Sequence, residues 1–147
     1  MAEPFDRPAS ARSVEIEIKN SRFICHVAPT AGIEAAQAFV GRIRREHPDA
    51  NHNCWCYVAG DPQDYNQWNC SDDGEPRGTA GKPMLNVLTH SGLGEICVVV
   101  TRYFGGIKLG AGGLVRAYSQ AVQTGLDHLP TEAVIETFAV SLSAPTP

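Results

Sequence analysis

The stretch that decides the fold reads Ile96-Cys97-Val98-Val99-Val100-Thr101-Arg102-Tyr103-Phe104-Gly105-Gly106-Ile107-Lys108-Leu109-Gly110-Ala111-Gly112-Gly113-Leu114-Val115-Arg116-Ala117-Tyr118. Its first five residues form a short continuous apolar run. Such a run predicts a central strand covered on both faces. Polar and glycine residues follow. A helix is then predicted from about Gly112-Gly113, with Leu114, Tyr118, Ala121 and Val122 on one face and Pro130 beyond its end.

Working towards the N terminus, Cys54 to Ala59 is rich in Trp, Tyr and Val and predicts another strand, followed by a polar loop from Gly60 to Asn66. Thr79 is the expected cap of a helix holding Met84, Leu85 and Leu88. Pro83 is tolerated in its first turn, where N–H groups lack intrahelical partners. Val14, Ile16 and Ile18 alternate with Glu15, Glu17 and Lys19, the period of a half-buried strand. Asn20-Ser21 is a turn signal, and Phe23, Cys25 and Val27 complete a hairpin closed by Pro29. Ile33, Ala36, Phe39, Val40 and Ile43 share a helical face, with Thr30 the expected cap and Pro48 the stop. Beyond the last helix, Val134 to Leu142 alternates again.

The order β-β-α-β-(β)-α-β-α-β predicts an α+β two-layer sandwich, with the helices packed on one sheet face. The organisation expected is a flexible arm over 1–13, the domain over 14–131, and a terminal strand or stub over 132–147.

A chain of 147 residues suffices for one domain, and 43% hydrophobic with 19% charged residues is ordinary globular composition. No apolar leader opens the chain and no run of 18 apolar residues occurs, so a membrane span is not expected. Five cysteines, an odd count, read as reduced thiols of a cytoplasmic protein.

Charge is unevenly spread. The net charge is −4, which excludes a polybasic binder. From Arg77 to Arg116, however, five basic residues meet one acid, Glu95, a local +4 on a body of −8. Ten of the 14 glycines lie between Gly74 and Gly113, a stretch that contains two loops leading into helices. Glycine lets a backbone approach a ligand closely. A helix start offers free N–H groups and the positive end of a dipole. The anion- or nucleic-acid-binding set read from this pattern is Arg77, Lys82, Arg102, Tyr103, Gly105, Gly106, Lys108, Gly110, Gly112, Gly113 and Arg116, with Phe104 beside Tyr103 as a second aromatic for base stacking. The competing reading is that the glycines serve turns and that both aromatics pack in the core.

Nucleotide-binding templates do not fit. The loop lacks a Gly-Lys-Ser/Thr ending, and Gly110-Ala111-Gly112-Gly113 is not GxGxxG. The acidic loop of Asp72, Asp73 and Glu75 lacks EF-hand spacing and is read as shaping a turn or pairing with Arg77 or other nearby bases. His52, Cys54 and Cys56 share one side of a strand, but the spacing of a zinc site is missing, so buried structural cysteines are the preferred reading. No catalytic residue, metal or cofactor is assigned.

Three segments, Ala50 to Trp55, Ser71 to Pro83 and Val99 to Tyr118, closely resemble the IMPACT N-terminal domain of the bacterial YigZ-like proteins, with weaker resemblance over Phe23 to Pro48. The resemblance implies a ribosomal protein S5 domain 2-like fold with a mixed sheet. It implies a role in the regulation of translation, since eukaryotic relatives bind the activator of a starvation-responsive kinase and bacterial ones look ribosome- or RNA-associated. Bacterial members usually continue into a ferredoxin-like domain, and the chain stops at Pro147, near where that domain would begin. The function expected is a translation-associated regulatory or binding protein that contacts RNA, the ribosome or a protein partner. The alternative is a small phosphorylated-ligand binder or enzyme using the Gly105–Gly113 loop as its anion site.

Overall fold

A computed structural model describes residues 3–135. The elements are β1 (Phe5–Pro8), β2 (Arg12–Ile18), β3 (Ser21–Pro29), α1 (Ile33–Glu46), β4 (His52–Val58), β5 (Trp68–Ser71), α2 (Gly81–His90), β6 (Ile96–Tyr103), α3 (Gly110–Leu126) and β7 (Thr131–Val134). Five strands form one sheet in the order β2-β3-β6-β4-β5. Each neighbouring pair is antiparallel. The expected mixed sheet is therefore corrected to an antiparallel one.

β6 is the middle strand, and its alternation sorts the core. Ile96, Val98 and Val100 face a cluster built by α2 and α3 with Met84, Leu88, Leu114, Tyr118 and Val122. Cys97 and Val99 face the opposite side, where α1 contributes Ala36, Phe39, Val40 and Ile43. Helices thus cover both faces, and the molecule has three layers instead of the expected two. The physical reason lies in β6 itself: a strand apolar at five successive positions must be covered twice. Each such side chain contributes roughly 1.5–3 kcal/mol on burial.

β2 and β3 join through a two-residue turn, Lys19 (φ 48°) and Asn20 (φ 67°). Positive φ at both positions is the turn that matches strand twist. Residues 3–13 are not simply an arm. Phe5–Pro8 pairs antiparallel with Thr131–Val134 as a separate two-stranded sheet, and Phe5 is buried. The alternation expected over Val134 to Leu142 falls, from residue 136 on, outside the described residues.

The helix caps differ from those expected. Gly32 (φ 100°), not Thr30, stands at the start of α1. Thr79 does not cap α2; its hydroxyl donates to the Pro76 carbonyl. Asp72 accepts from the N–H groups of Ala80 (3.1 Å) and Gly81 (2.8 Å) instead, capping α2 from eight or nine residues away. α3 begins at Gly110, two residues earlier than expected.

Candidate functional site

Topology gathers the unusual residues at one end of the molecule. β5 and β6 both run antiparallel to β4, so they point the same way. α2 follows β5 and α3 follows β6, so both helices start at the same end. The β2–β3 turn lies there too, because Arg22 pairs with Tyr103 at the end of β6. Two helix N termini thus direct partial positive charge to this end. The tight fit is made by glycine. A Cβ at Gly105 would overlap the Asn20 backbone, which fixes the loop against the β2–β3 turn. Gly110 (φ 78°) takes the left-handed conformation that opens α3.

A cleft of about 460 Å³ lies between the end of β6, the acidic loop and the first turn of α3. Asn51, His52, Glu75 and Arg102 line it with Phe104, Lys108, Leu109, Gly110 and Ala111. Its floor is a buried polar network. Arg102 Nη1 donates to Glu75 Oε2 at 2.7 Å, and the Tyr118 hydroxyl donates to the same oxygen at 2.5 Å. Burial pushes the Tyr118 hydroxyl far above the usual phenol range, and the neighbouring Cys54 and Glu75 add to the shift. The tyrosine therefore remains a donor.

His52 Nδ1 lies 2.9 Å from the Asp73 carbonyl, which only accepts, so Nδ1 carries a proton. The other nitrogen, Nε2, faces Glu75 Oε1 at 3.5 Å. Asn51 Oδ1 accepts from the Phe104 N–H at 2.8 Å, which pins the aromatic residue at the cleft mouth. Phe104 is 46% exposed, and the Arg102 guanidinium lies 5.5 Å from its ring centre.

The acidic loop has a separate task for each acid. Asp72 holds the N terminus of α2 and also accepts from Gly78 N–H at 2.9 Å. Burial opposes its ionisation, but the N–H groups of Gly78, Gly81 and Ala80 and the nearby Arg77 outweigh that and hold its carboxyl below the usual range. Asp73 accepts from Asn53 N–H at 2.7 Å and Arg44 at 2.8 Å. Glu75 pairs with Arg102. Among the described residues, no three His, Cys, Asp or Glu side chains are arranged to hold a metal ion. Cys54 and Cys56 lie in the core, and burial raises both thiols above the usual range.

The expected cationic set divides. Arg102 is buried and neutralised by Glu75, so it leaves the set as a free cation. Tyr103 alternates to the other sheet face, where its hydroxyl hydrogen-bonds His47 Nδ1 at 2.7 Å and Arg22 covers its ring. It cannot share the cleft with Arg102. Arg77, Lys82, Lys108 and Arg116 are exposed and form no ion pair among the described residues. Lys108 borders the cleft. Arg116 lines a smaller depression of about 230 Å³ with Lys19 and Gly113, and Leu109 borders both hollows. Lys82 lies apart, beside Trp68 and Leu85. Gly106 (φ 91°) turns the loop, and Gly112 and Gly113 sit in the first turn of α3.

Sequence reasoning missed His52 and Asn51 as cleft residues. The spacing puts His52 on the strand face of Cys54, but its place opposite Arg102 comes from the fold.

The family model described as Impact N-terminal domain matches residues 19–126. The IMPACT family member YigZ of Escherichia coli is 58% identical over 125 residues, covering 85% of this chain and 61% of that protein. Protein IMPACT of Mus musculus is 32% identical over 112 residues, covering 74% of this chain and 34% of that protein. A solved structure described as a crystal structure of an hypothetical protein has a TM-score of 0.87 at 54% identity, covering 91% of this chain and 65% of that one. The chain spans less than two thirds of the length of the Escherichia coli protein and of an IMPACT family member of Haemophilus influenzae that it also matches.

Proposed function

This chain belongs to the IMPACT family, and from that premise we propose that it is a translation-associated binding protein whose glycine-rich end contacts RNA phosphates. The observation that carries the reading is the placement of exposed cations without an ion pair among the described residues, Arg77, Lys108 and Arg116, about the glycine-rich end, with Lys108 beside the N terminus of α3, which has no side-chain cap. Glu95, the one acid of that segment, belongs to the opposite end, where it pairs with Arg7 at 2.7 Å. The family resemblance supports the translational context, with the ribosome or a protein partner as the assembly in which the contact is made. The cytoplasm is the compartment this implies, and no helix among the described residues is long and apolar enough to cross a membrane. We read the architecture as the ribosomal protein S5 domain 2-like fold.

The test is RNA binding by the protein and by its Lys108→Ala/Arg116→Ala variant across a salt series. Weaker binding with a shallower salt dependence supports the reading. Unchanged RNA binding, or capture of a protein partner that survives RNase, replaces it with protein-partner regulation. A small phosphorylated ligand is the second reading, favoured by the cleft beside Lys108.

A further inference from the structure

We infer that the cleft between Phe104 and Glu75 seats a single nucleotide, its base stacked on Phe104 with an amino edge towards Glu75 and its phosphate towards Lys108. This deepens the RNA reading and also covers a free nucleotide.

Three observations converge on that chemistry. The first is an exposed aromatic ring in a cleft. Phe104 is held by the Asn51 bond to its N–H and backed by the Arg102 guanidinium. A ring anchored through its backbone and backed by a guanidinium is a ready stacking platform.

The second is the buried carboxylate. The Glu75 side chain is only 3% exposed, yet the residue borders the cleft. Oε2 accepts from both Arg102 and Tyr118, whereas Oε1 has only the His52 nitrogen at 3.5 Å. A carboxylate oxygen takes two hydrogen bonds, so Oε1 retains capacity for a donor. Buried charge costs free energy, and its placement in a cleft wall is typical of a functional group. An exocyclic amino group of adenine, cytosine or guanine supplies the donor.

The third is the cation. Lys108 borders the same cleft as the first turn of α3, which has no side-chain cap. Cation and unsatisfied N–H groups together suit a phosphate. The cleft volume of about 460 Å³ falls within the range of small-ligand sites.

The experiment is an NMR amide titration of the chain with CMP, UMP, ribose 5-phosphate and a short single-stranded RNA, repeated on Phe104→Ala and Lys108→Ala. Both side chains are on the surface, so the fold should persist, and the amide spectrum itself reports whether it does. CMP is expected to shift the amides of Phe104, Lys108, Gly110 and Ala111 and to bind more tightly than UMP, whose base has no amino group. Phe104→Ala should weaken CMP at least about fivefold, the low end for loss of one base stack, and leave ribose 5-phosphate unchanged. Lys108→Ala should weaken both. If only the RNA shifts the cleft amides, with the same dependence on Phe104, the inference stands and the nucleotide is part of a chain. RNA bound through Lys108 and Arg116 without cleft shifts overturns the inference but leaves the RNA reading intact. Equal binding of CMP and UMP, or no effect of Phe104→Ala, also overturns it. If no nucleotide and no RNA binds, both readings fail.

Discussion

Arg102 and Glu75 form a buried ion pair at 2.7 Å, joining the end of the central strand to the acidic loop 27 residues earlier in the chain. Both side chains are below 10% exposed. The Tyr118 hydroxyl and the Ser21 hydroxyl complete the surroundings of the pair. Cutting one partner from such a pair leaves an uncompensated charge, which costs about 3–5 kcal/mol. Glu75→Ala should therefore destabilise the fold by about that amount in denaturant unfolding. Glu75→Leu with Arg102→Met should recover much of the loss, since apolar replacement of a whole buried pair is often neutral. A double variant no more stable than Glu75→Ala would show that the pair is worth more than its desolvation.

The exposed cations predict a different signature. Each phosphate contact on a single strand contributes about −0.7 to the slope of log affinity against log salt. Lys108→Ala with Arg116→Ala should weaken RNA binding and flatten that slope by about 1.4. Thermal stability should barely change, because both side chains are exposed and unpaired. An unchanged slope in an equilibrium binding series would move the contact surface elsewhere. The contrast with Arg102 is the informative part: three arginines and two lysines look alike in the segment, but one of them is structural.

That distinction was half legible in the sequence. Alternation from Val98 and Val100 puts position 102 on the core face of β6, but a charge at the end of an apolar run reads as surface until its partner is known. The partner sits in an acidic turn 27 residues earlier, and only the antiparallel pairing of β4 with both β5 and β6 brings the two together. The central strand itself was fully legible, since its unbroken apolar run demands cover on two sides. The same feature contradicted the expectation of helices on one face, and the amphipathic α1 was available to supply the missing layer. β1 and β7 were not legible. Each has four residues, neither carries a clear alternation, and Pro8 reads as arm. The cap of α2 escaped for another reason: Thr79 satisfies the local rule, while Asp72 acts through the fold of the loop.

Asp72 gives the third prediction. Its carboxylate serves three N–H groups, so Asp72→Ala should cost about 1–2 kcal/mol, the range for loss of a helix cap, in urea unfolding at pH 7. Thr79→Val should cost less, because Thr79 is not the cap. The folded-state acidity is increased relative to a free Asp near 3.9. Its stabilising contribution is thus present above that value and is lost as pH falls through the lower folded one. Equal losses for the two variants would return the capping role to Thr79.

His26 gives the fourth, on the opposite sheet face. Burial lowers its pKa to about 4, with the neighbouring His47 and Arg42 opposing protonation further. Its hydrogen bonds fix the neutral form. Thr101 donates its hydroxyl proton to Asn53 Oδ1 at 2.7 Å, so towards His26 Nε2, at 3.1 Å, it accepts. Nε2 therefore carries the proton, and Nδ1 accepts from the Ser13 hydroxyl at 2.8 Å. In the unfolded chain the same imidazole titrates near 6.5. Between that value and about 4 the unfolded state binds the extra proton, so this contribution to stability is complete above pH 6.5 and declines as pH falls. The slope cannot exceed about 1.4 kcal/mol per pH unit, the limit for one proton. Urea unfolding at several pH values should resolve it, and His26→Gln should flatten the curve between pH 6.5 and 4. The variant will be less stable at neutral pH, because the amide cannot reproduce both bonds. The pH dependence, not the absolute stability, is therefore the deciding measurement: a slope in that window equal to that of the unmodified protein would remove His26 as its source.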